Sequence, residues 1–416
     1  MQVGVLIRVK CAHQFVKGLG NMSQSQKHKI IIVGAGIAGL TAALCLRQSG
    51  HDVTILEQAS ALQDIGAGIQ LSPNALHVLN AIGIGDRLTS KADIPAELSM
   101  RDFKSGTPFL TQKMGSSFSH RYGASYWHCH RADLIETLFN ATQEAGIQIL
   151  FNEKTESYEE THETTNVKTH AGRSFTADLL IGADGISSKI RATLLPNSMV
   201  DFTGQIAWRG LVPTERLQTQ PPEGVSVWVG PGKHFVGYRL RQASLMNFIA
   251  VEERDEWTEE NWMLSGDIEK LRTAFAGWDT PVQDILAACD DTYLWGLFDR
   301  PPPKTWHSSR AVLIGDACHP ILPFMAQGAA MAIEDAYVLA DSLENNKSIA
   351  AALKLFQQKR QKRVKSLYDI SRRNAALYHA SGIQAFARNF FFTGSRMFPR
   401  TLSFQLDRVY AFDVTN

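Results

Sequence analysis

The sequence predicts an α/β fold: a Rossmann-like nucleotide-binding unit, interrupted by an antiparallel β-sheet unit and followed by C-terminal helices. Three observations carry this prediction. The β-branched run Ile30 to Val33 leads at once into Gly34-Ala-Gly36-Ile-Ala-Gly39, and a helix follows over Leu40 to Arg47. Two later apolar runs, Leu179 to Ala183 and Ala311 to Ile314, end in Asp184-Gly185 and Gly315-Asp316. Between about Val200 and Tyr293, stretches such as VSVWVG, HFVGYRL and LMNFIAV alternate with period two, the mark of strands covered on one face.

The first element is the most specific. Gly34 permits the tight turn, Gly36 lets the backbone approach a diphosphate, and Gly39 lets helix and strand pack closely. The bare helix N-terminus carries roughly half a positive charge and faces the phosphates. A second strand, DVTILE, ends in Glu57, whose carboxylate can accept hydrogen bonds from both ribose hydroxyls. A dinucleotide is expected here; NAD and FAD share the half that this motif reads.

The bulk numbers set bounds. With 416 residues, 44% of them hydrophobic, the chain can bury a large core. Its 42 Lys and Arg balance 41 Asp and Glu, so nothing points to a nucleic-acid partner. Five scattered cysteines suit free thiols in the cytoplasm better than a disulfide framework. No apolar run is long enough for a spanning helix. Residues 1–28 hold no acid and read as a disordered basic extension, with Met22 as an alternative start and a transit peptide as a third option.

The later loops bring a family resemblance. GAGIAGL, LEQASALQDIGAGIQLSPNALHVL, HCHRADL, IGADGISSKIR, AWRG and IGDACHPILPFMAQGAAMAIEDA occur in that order between Lys29 and about Tyr378. The chain thereby resembles the aromatic-ring hydroxylases among the class A, single-component FAD-dependent monooxygenases, in the group of salicylate hydroxylase and 3-hydroxybenzoate 6-hydroxylase. The resemblance implies a glutathione-reductase-type, p-hydroxybenzoate-hydroxylase-like arrangement that grips one FAD from two sides. It implies that Gly34, Gly36, Ile37, Ala38, Gly39, Glu57 and Gln58 hold the adenosine half, with Gly68 also on the cofactor. It places Arg131 at the phosphate or flavin side, Asp316 at the ribityl chain and the Gly328-Ala329 backbone against the flavin ring. The Asp184 loop resembles the motif associated with both FAD and reduced nicotinamide; NADH and NADPH both stay open as co-substrate.

Asp316 and the Gly328-Ala329 backbone also read well without the family. Asp316 stands at a loop mouth where a carboxylate can accept hydroxyl hydrogen bonds, and Gln327-Gly328-Ala329 opens a helix whose free N–H groups can meet a flavin carbonyl. A simple helix N-cap is the competing reading of Asp316.

Hydroxylation through a flavin C4a-hydroperoxide, formed from O2, needs a dry cavity and an electron-rich ring. Ionising a phenol at neutral pH costs about 4 kcal/mol, within reach of a positioned base. His234 is the candidate base, since a family member resembling this chain places a histidine in the corresponding strand; a half-buried strand histidine is the competing reading. Tyr238 follows on the same face. Pro323 and Phe324 can wall the ring side, although ILPF departs from the hydroxybenzoate enzymes and leaves the ring substitution open. Arg209, Arg239 and Arg241 are options for a substrate carboxylate. His319 is a rival base whose family counterpart looks structural.

The expected organisation is an extension at 1–28, a FAD-binding unit from 29–94, 123–199 and 294–346, a substrate sheet from 95–122 and 200–293, and a helical region at 347–416. His128 and His130 share one strand face without the further ligands a metal needs, so no metal is expected. Arg360 and Arg363 lie on a long helix and could bond acids elsewhere, and the aromatics near Arg388 pack on the body, on a second subunit or on a membrane surface. A monomer or homodimer fits. The rival functions are a sister monooxygenase of a quinone precursor or an N-heteroaromatic acid, and a flavin-binding redox sensor without turnover.

Overall fold

A computed structural model describes residues 26–62, 67–196, 198, 200–220, 222–255, 264–395 and 406–416. The expectations for the N-terminal extension lie almost wholly outside these residues. Five strands form a parallel sheet in the order Ala311–Leu313, Leu179–Gly182, Lys29–Val33, Asp52–Leu56, Gln148–Leu150. Three of its strands, Lys29–Val33, Leu179–Gly182 and Ala311–Leu313, read as near-continuous apolar runs because both faces are covered: Ile30, Ile31, Ile32 and Val33 are all buried. Helix Ile37–Gln48 packs on this sheet and against helix Gly328–Glu344.

A three-stranded antiparallel meander, Thr155–Glu160, Thr165–Thr169 and Ser174–Ala177, lies between the fifth and second strands of that sheet in chain order. Its Thr- and Glu-rich sequence carries too weak an apolar alternation to announce it.

The second large sheet has eight strands, in the order Leu264–Gly266, Thr292–Asp299, Asp201–Pro213, Leu245–Glu253, Lys233–Leu240, Val225–Gly230, Glu97–Asp102, Pro108–Lys113. Its pairings are antiparallel except that Val225–Gly230 runs parallel to Glu97–Asp102. The early insertion therefore extends the sheet, and Thr292–Asp299 carries it past residue 293. Alternation gives the sheet two faces. Trp208, Trp228, Phe235 and Phe248 pack outward on helices Ile268–Ala274 and Thr280–Ala287. Ala207, Val251 and Trp295 face the other way and meet Leu322, Phe324 and Ala375.

The 30-residue helix Ile349–Tyr378 braces the first unit. Arg360 Nε donates to Asp335 Oδ1 at 2.7 Å and its Nη1 to Glu334 Oε2 at 2.5 Å, while Arg363 Nη2 reaches Glu334 Oε1 at 3.1 Å. Helix Gly382–Ser395 turns Phe392 inward against Phe109 but leaves Ile383, Phe386 and Phe390 exposed.

Candidate active site

Three loops at the C-terminal ends of adjacent parallel strands converge, where open α/β sheets bind ligands. Gly34, at φ +104°, lies so close to the Ala183 carbonyl that a Cβ there would come within 2.5 Å of it. Gly39 approaches the Gly34 carbonyl more closely still, at 1.9 Å from an added Cβ. Gly315, at φ +58°, fits between Ala38 and Ala332, each 3.2 Å from where its Cβ would stand. The late turn thus lies directly on the first glycine helix, so both address one ligand.

What the loops leave open fits FAD. Among the described residues, apart from chain neighbours and the helix's own backbone, no atom stands within 4 Å of an added Cβ at Gly36 or Gly328, unlike the crowded Gly34, Gly39 and Gly315. Both glycines open long helices whose first turns carry no acid and no side-chain cap, leaving N–H groups and positive dipole ends for a diphosphate and a flavin carbonyl. Glu57 takes N–H bonds from Ala35 at 2.7 Å and Ala59 at 2.9 Å. A carboxylate has about four acceptor positions, so ribose hydroxyls can still be bound. Gln58 is exposed beside it.

Asp316 is exposed, yet protein crowds around it and pushes its carboxyl above the usual range against the pull of His319 and Arg131. An accessible carboxylate hemmed in by protein marks a concavity. It caps no helix, and among the described residues no hydrogen bond engages it. Arg131, at the start of helix Arg131–Glu144, faces it; burial lowers the guanidinium and Asp316 opposes that shift. Arg191 donates to the Ala317 and Cys318 carbonyls at 2.9 and 2.7 Å and so holds the turn from below, a bracing role the sequence did not disclose. Asp184 accepts from Ser188 Oγ at 2.5 Å and Lys189 N at 2.7 Å, committing both oxygens to its own loop.

On the eight-stranded sheet, Arg209, His234 and Tyr238 share the inner face; His234 stands opposite Val251 and Tyr238 opposite Asn247. Arg209 stacks over Tyr293 and Trp295 at 5.3 and 5.1 Å, and burial, with Arg131 as neighbour, lowers it to about 10. His234 is 2% exposed, packed against Phe324 and Tyr378, and burial and His379 hold it well below the ordinary imidazole range. Pro323 is exposed beside Phe324.

Two expectations change here, while His319 keeps the structural reading that its family counterpart implied. Tyr238 is 1% exposed, packed on His128 and pressed against Gly68, where an added Cβ would meet its hydroxyl at 2.5 Å; it supports the Gly68 loop instead of forming an open wall. Gly68 itself is docked on the sheet by its N–H to Asn247 Oδ1 at 2.7 Å. Arg241 is paired with Asp133 at 2.9 Å and is withdrawn as a carboxylate ligand. His319 Nε2 bonds Asp335 at 2.7 Å and its Nδ1 is sealed, which makes it part of the ionic brace.

The chain matches the family model described as FAD binding domain over residues 27–371. It is 32% identical over 390 residues to a 3-hydroxybenzoate 6-hydroxylase of Polaromonas naphthalenivorans, covering 93% of this chain and 96% of that protein. It is 33% identical to a 6-hydroxynicotinate 3-monooxygenase of Bordetella bronchiseptica, over 84% of this chain and 92% of that one. A salicylate hydroxylase substrate complex superposes with a TM-score of 0.80 at 25% identity, over 94% of this chain and 97% of that chain. The chain belongs to this family, and with it to the FAD-dependent aromatic monooxygenases that use NAD(P)H as co-substrate.

Proposed function

We propose that this protein hydroxylates a small phenolic carboxylic acid, with His234 as the base that ionises the phenol and Arg209 as the cation that pairs with the carboxylate. The carrying observation is that both project from the face of the eight-stranded sheet turned toward the Asp316 and Phe324 loops. Bound FAD supplies the oxygen-activating chemistry. Gly34, Gly36, Ile37, Ala38, Gly39, Glu57, Gln58 and Arg131 hold its nucleotide and diphosphate. Asp316 would accept from the ribityl hydroxyls, the Gly328 and Ala329 amides would be the donors available to the ring, and the Gly68 and Asp184 loops would border the cleft. Phe324 and Pro323 exclude water. Neutral His234 takes the phenolic proton, and a guanidinium–carboxylate pair fixes which ring carbon is presented.

The likeness to the 6-hydroxynicotinate enzyme supports a second reading, an N-heteroaromatic acid at the same site. Cys45, Cys129, Cys289 and Cys318 are all free and buried, which supports a reducing, cytoplasmic setting. Among the described residues no helix is long and apolar enough to cross a membrane. A panel of hydroxybenzoates, salicylate and hydroxynicotinates tests the reading, scored for coupled oxygen uptake and hydroxylated product with NADH and NADPH. A ligand that stimulates turnover and product supports it; flavin binding without stimulated turnover would favour the sensor.

A further inference from the structure

A base that is 2% exposed cannot hand its proton directly to bulk water, so His234 needs an outlet. His234 Nδ1 lies 2.8 Å from Nε2 of His379, a residue 145 positions away just past the end of the long helix. His379 Nδ1 in turn lies 3.0 Å from Oε1 of Glu253, whose side chain is 57% exposed. The backbone around Gly232 pins this arrangement: Gly232 N donates to the His379 carbonyl at 3.0 Å, and Glu253 N donates to the Gly232 carbonyl at 3.0 Å. Resting on the reading of His234 as base, we infer that His379 and Glu253 form a proton relay between His234 and the protein surface.

The chemistry of the acceptor fixes the direction. An ionised carboxylate only accepts, so His379 Nδ1 carries the hydrogen and its Nε2 holds a lone pair. His234 must then donate through Nδ1, which leaves its Nε2 as a lone-pair acceptor. That atom is not among the sealed, unpartnered nitrogens, in contrast to Nε2 of His128 and Nδ1 of His319. The exposed glutamate thus sets the tautomer of the buried base through two rings. The transfer balances: the phenolic O–H breaks, its proton joins His234 Nε2, the Nδ1 proton passes to His379 Nε2, and the His379 Nδ1 proton passes by way of Glu253 to water. The reverse sequence reprotonates the product oxygen and restores both tautomers.

The surrounding groups are compatible. Gln205 of strand Asp201–Pro213 has its amide 3.4 Å from His379 Nδ1, and turning that amide end for end would bring the otherwise unpartnered Oε1 to accept from the Nδ1 hydrogen the relay requires. Phe324 and Tyr378 cover the His234 ring. The neighbouring Glu252 is occupied by Trp208, Lys233 and Arg254. Burial lowers both imidazoles, with Glu253 opposing the shift at His379, so both rings are neutral near pH 7.

The test uses full-length, FAD-loaded protein in its oxidised form, mixed rapidly with 3-hydroxybenzoate in weak buffer containing a pH indicator. Phenolate absorbance and released protons are read together. The wild type should release a proton as phenolate forms. Glu253→Gln and His379→Gln should slow both signals roughly ten- to hundred-fold, with little change in equilibrium affinity. Ionisation lost in His234→Asn but unslowed in both relay variants would overturn the relay and keep the base; no proton release from bound ligand in the wild type would overturn the base and the relay with it. Glu253 is exposed, so Glu253→Gln should fold even where His379→Gln does not. Ring-nitrogen NMR on labelled histidine needs no ligand: Nδ1–H tautomers for both His234 and His379 are expected, and an Nε2–H tautomer at His379 would refute the relay.

Discussion

The protein buries polar side chains in two opposite ways. Beneath the Gly315-Asp316 turn, Glu334, Asp335, His319 and Arg360 are all 0% exposed, and the two carboxylates face Arg360 and Arg363. Burial raises Glu334, but the two guanidiniums outweigh it and leave its carboxyl below the ordinary range. Against the inner face of the eight-stranded sheet, burial lowers both the His234 and the His379 imidazole, and their chain ends on an accessible carboxylate. Charges sealed against one another hold a shape; neutral groups joined to solvent can pass a proton.

The comparison can be broken from either side. The largest effect is expected from Arg360→Ala, which leaves Asp335 with only His319 and the Gly315 amide, and Glu334 with only Arg363 and Asn74, as partners. Removing one partner of a buried ion pair costs about 3–5 kcal/mol, so denaturant unfolding should show a loss of that size and weakened FAD retention. A loss below about 1 kcal/mol, the range of exposed pairs, would show that this brace is not a sealed one. On the other side, His234→Asn should leave stability nearly intact while turnover falls roughly 10²- to 10⁴-fold. The sign of its pH dependence follows from the depressed imidazole: the base is neutral at pH 7, and activity falls only as pH drops through that lowered value. A turnover rate and pH profile equal to wild type would remove His234 from the mechanism.

Asp316→Ala sharpens the boundary between the regions. Loss of a charge-assisted hydrogen bond of about 1.5–3 kcal/mol should weaken FAD binding roughly 10- to 100-fold in a fluorescence titration, with the ionic brace untouched. Unchanged affinity would mean that Asp316 does not touch the cofactor. The smallest effect concerns His128, whose sealed imidazole is lowered to about 3 by burial. Its folded-state value lies below the unfolded one, so its contribution is present above about pH 6.5 and is lost as pH falls toward 3. Between pH 7 and pH 5 this single group should cost on the order of 2 kcal/mol of stability. His128→Phe should flatten that part of the pH–stability curve, and an unaltered curve would exclude the assignment.

Local signals were legible in the sequence; assembled ones were not. Gly34, Gly36, Gly39 and Glu57 could be read because one strand–turn–helix contains all their constraints. Asp316 followed from its strand and loop. His379 offered no cue, since its partner lies 145 residues away and a helix end looks the same with or without one. The packing of Tyr238 beneath Gly68 depends on a contact between distant segments. Period-two alternation found the strands around His234 but could not show that Val225–Gly230 would pair in parallel with Glu97–Asp102, because alternation reports faces and not neighbours.

The central claim is that one FAD is held between the first glycine helix and the Asp316 turn, with its ring toward the inner face of the eight-stranded sheet. A crystal structure of the FAD complex tests it most directly. The account predicts a single flavin, its diphosphate at the N-terminus of helix Ile37–Gln48 and its ring beside Gly328 on the Phe324 side. A ring placed away from the Asp316 and Gly328 loops, or a second nucleotide in the Asp316 turn, would contradict it.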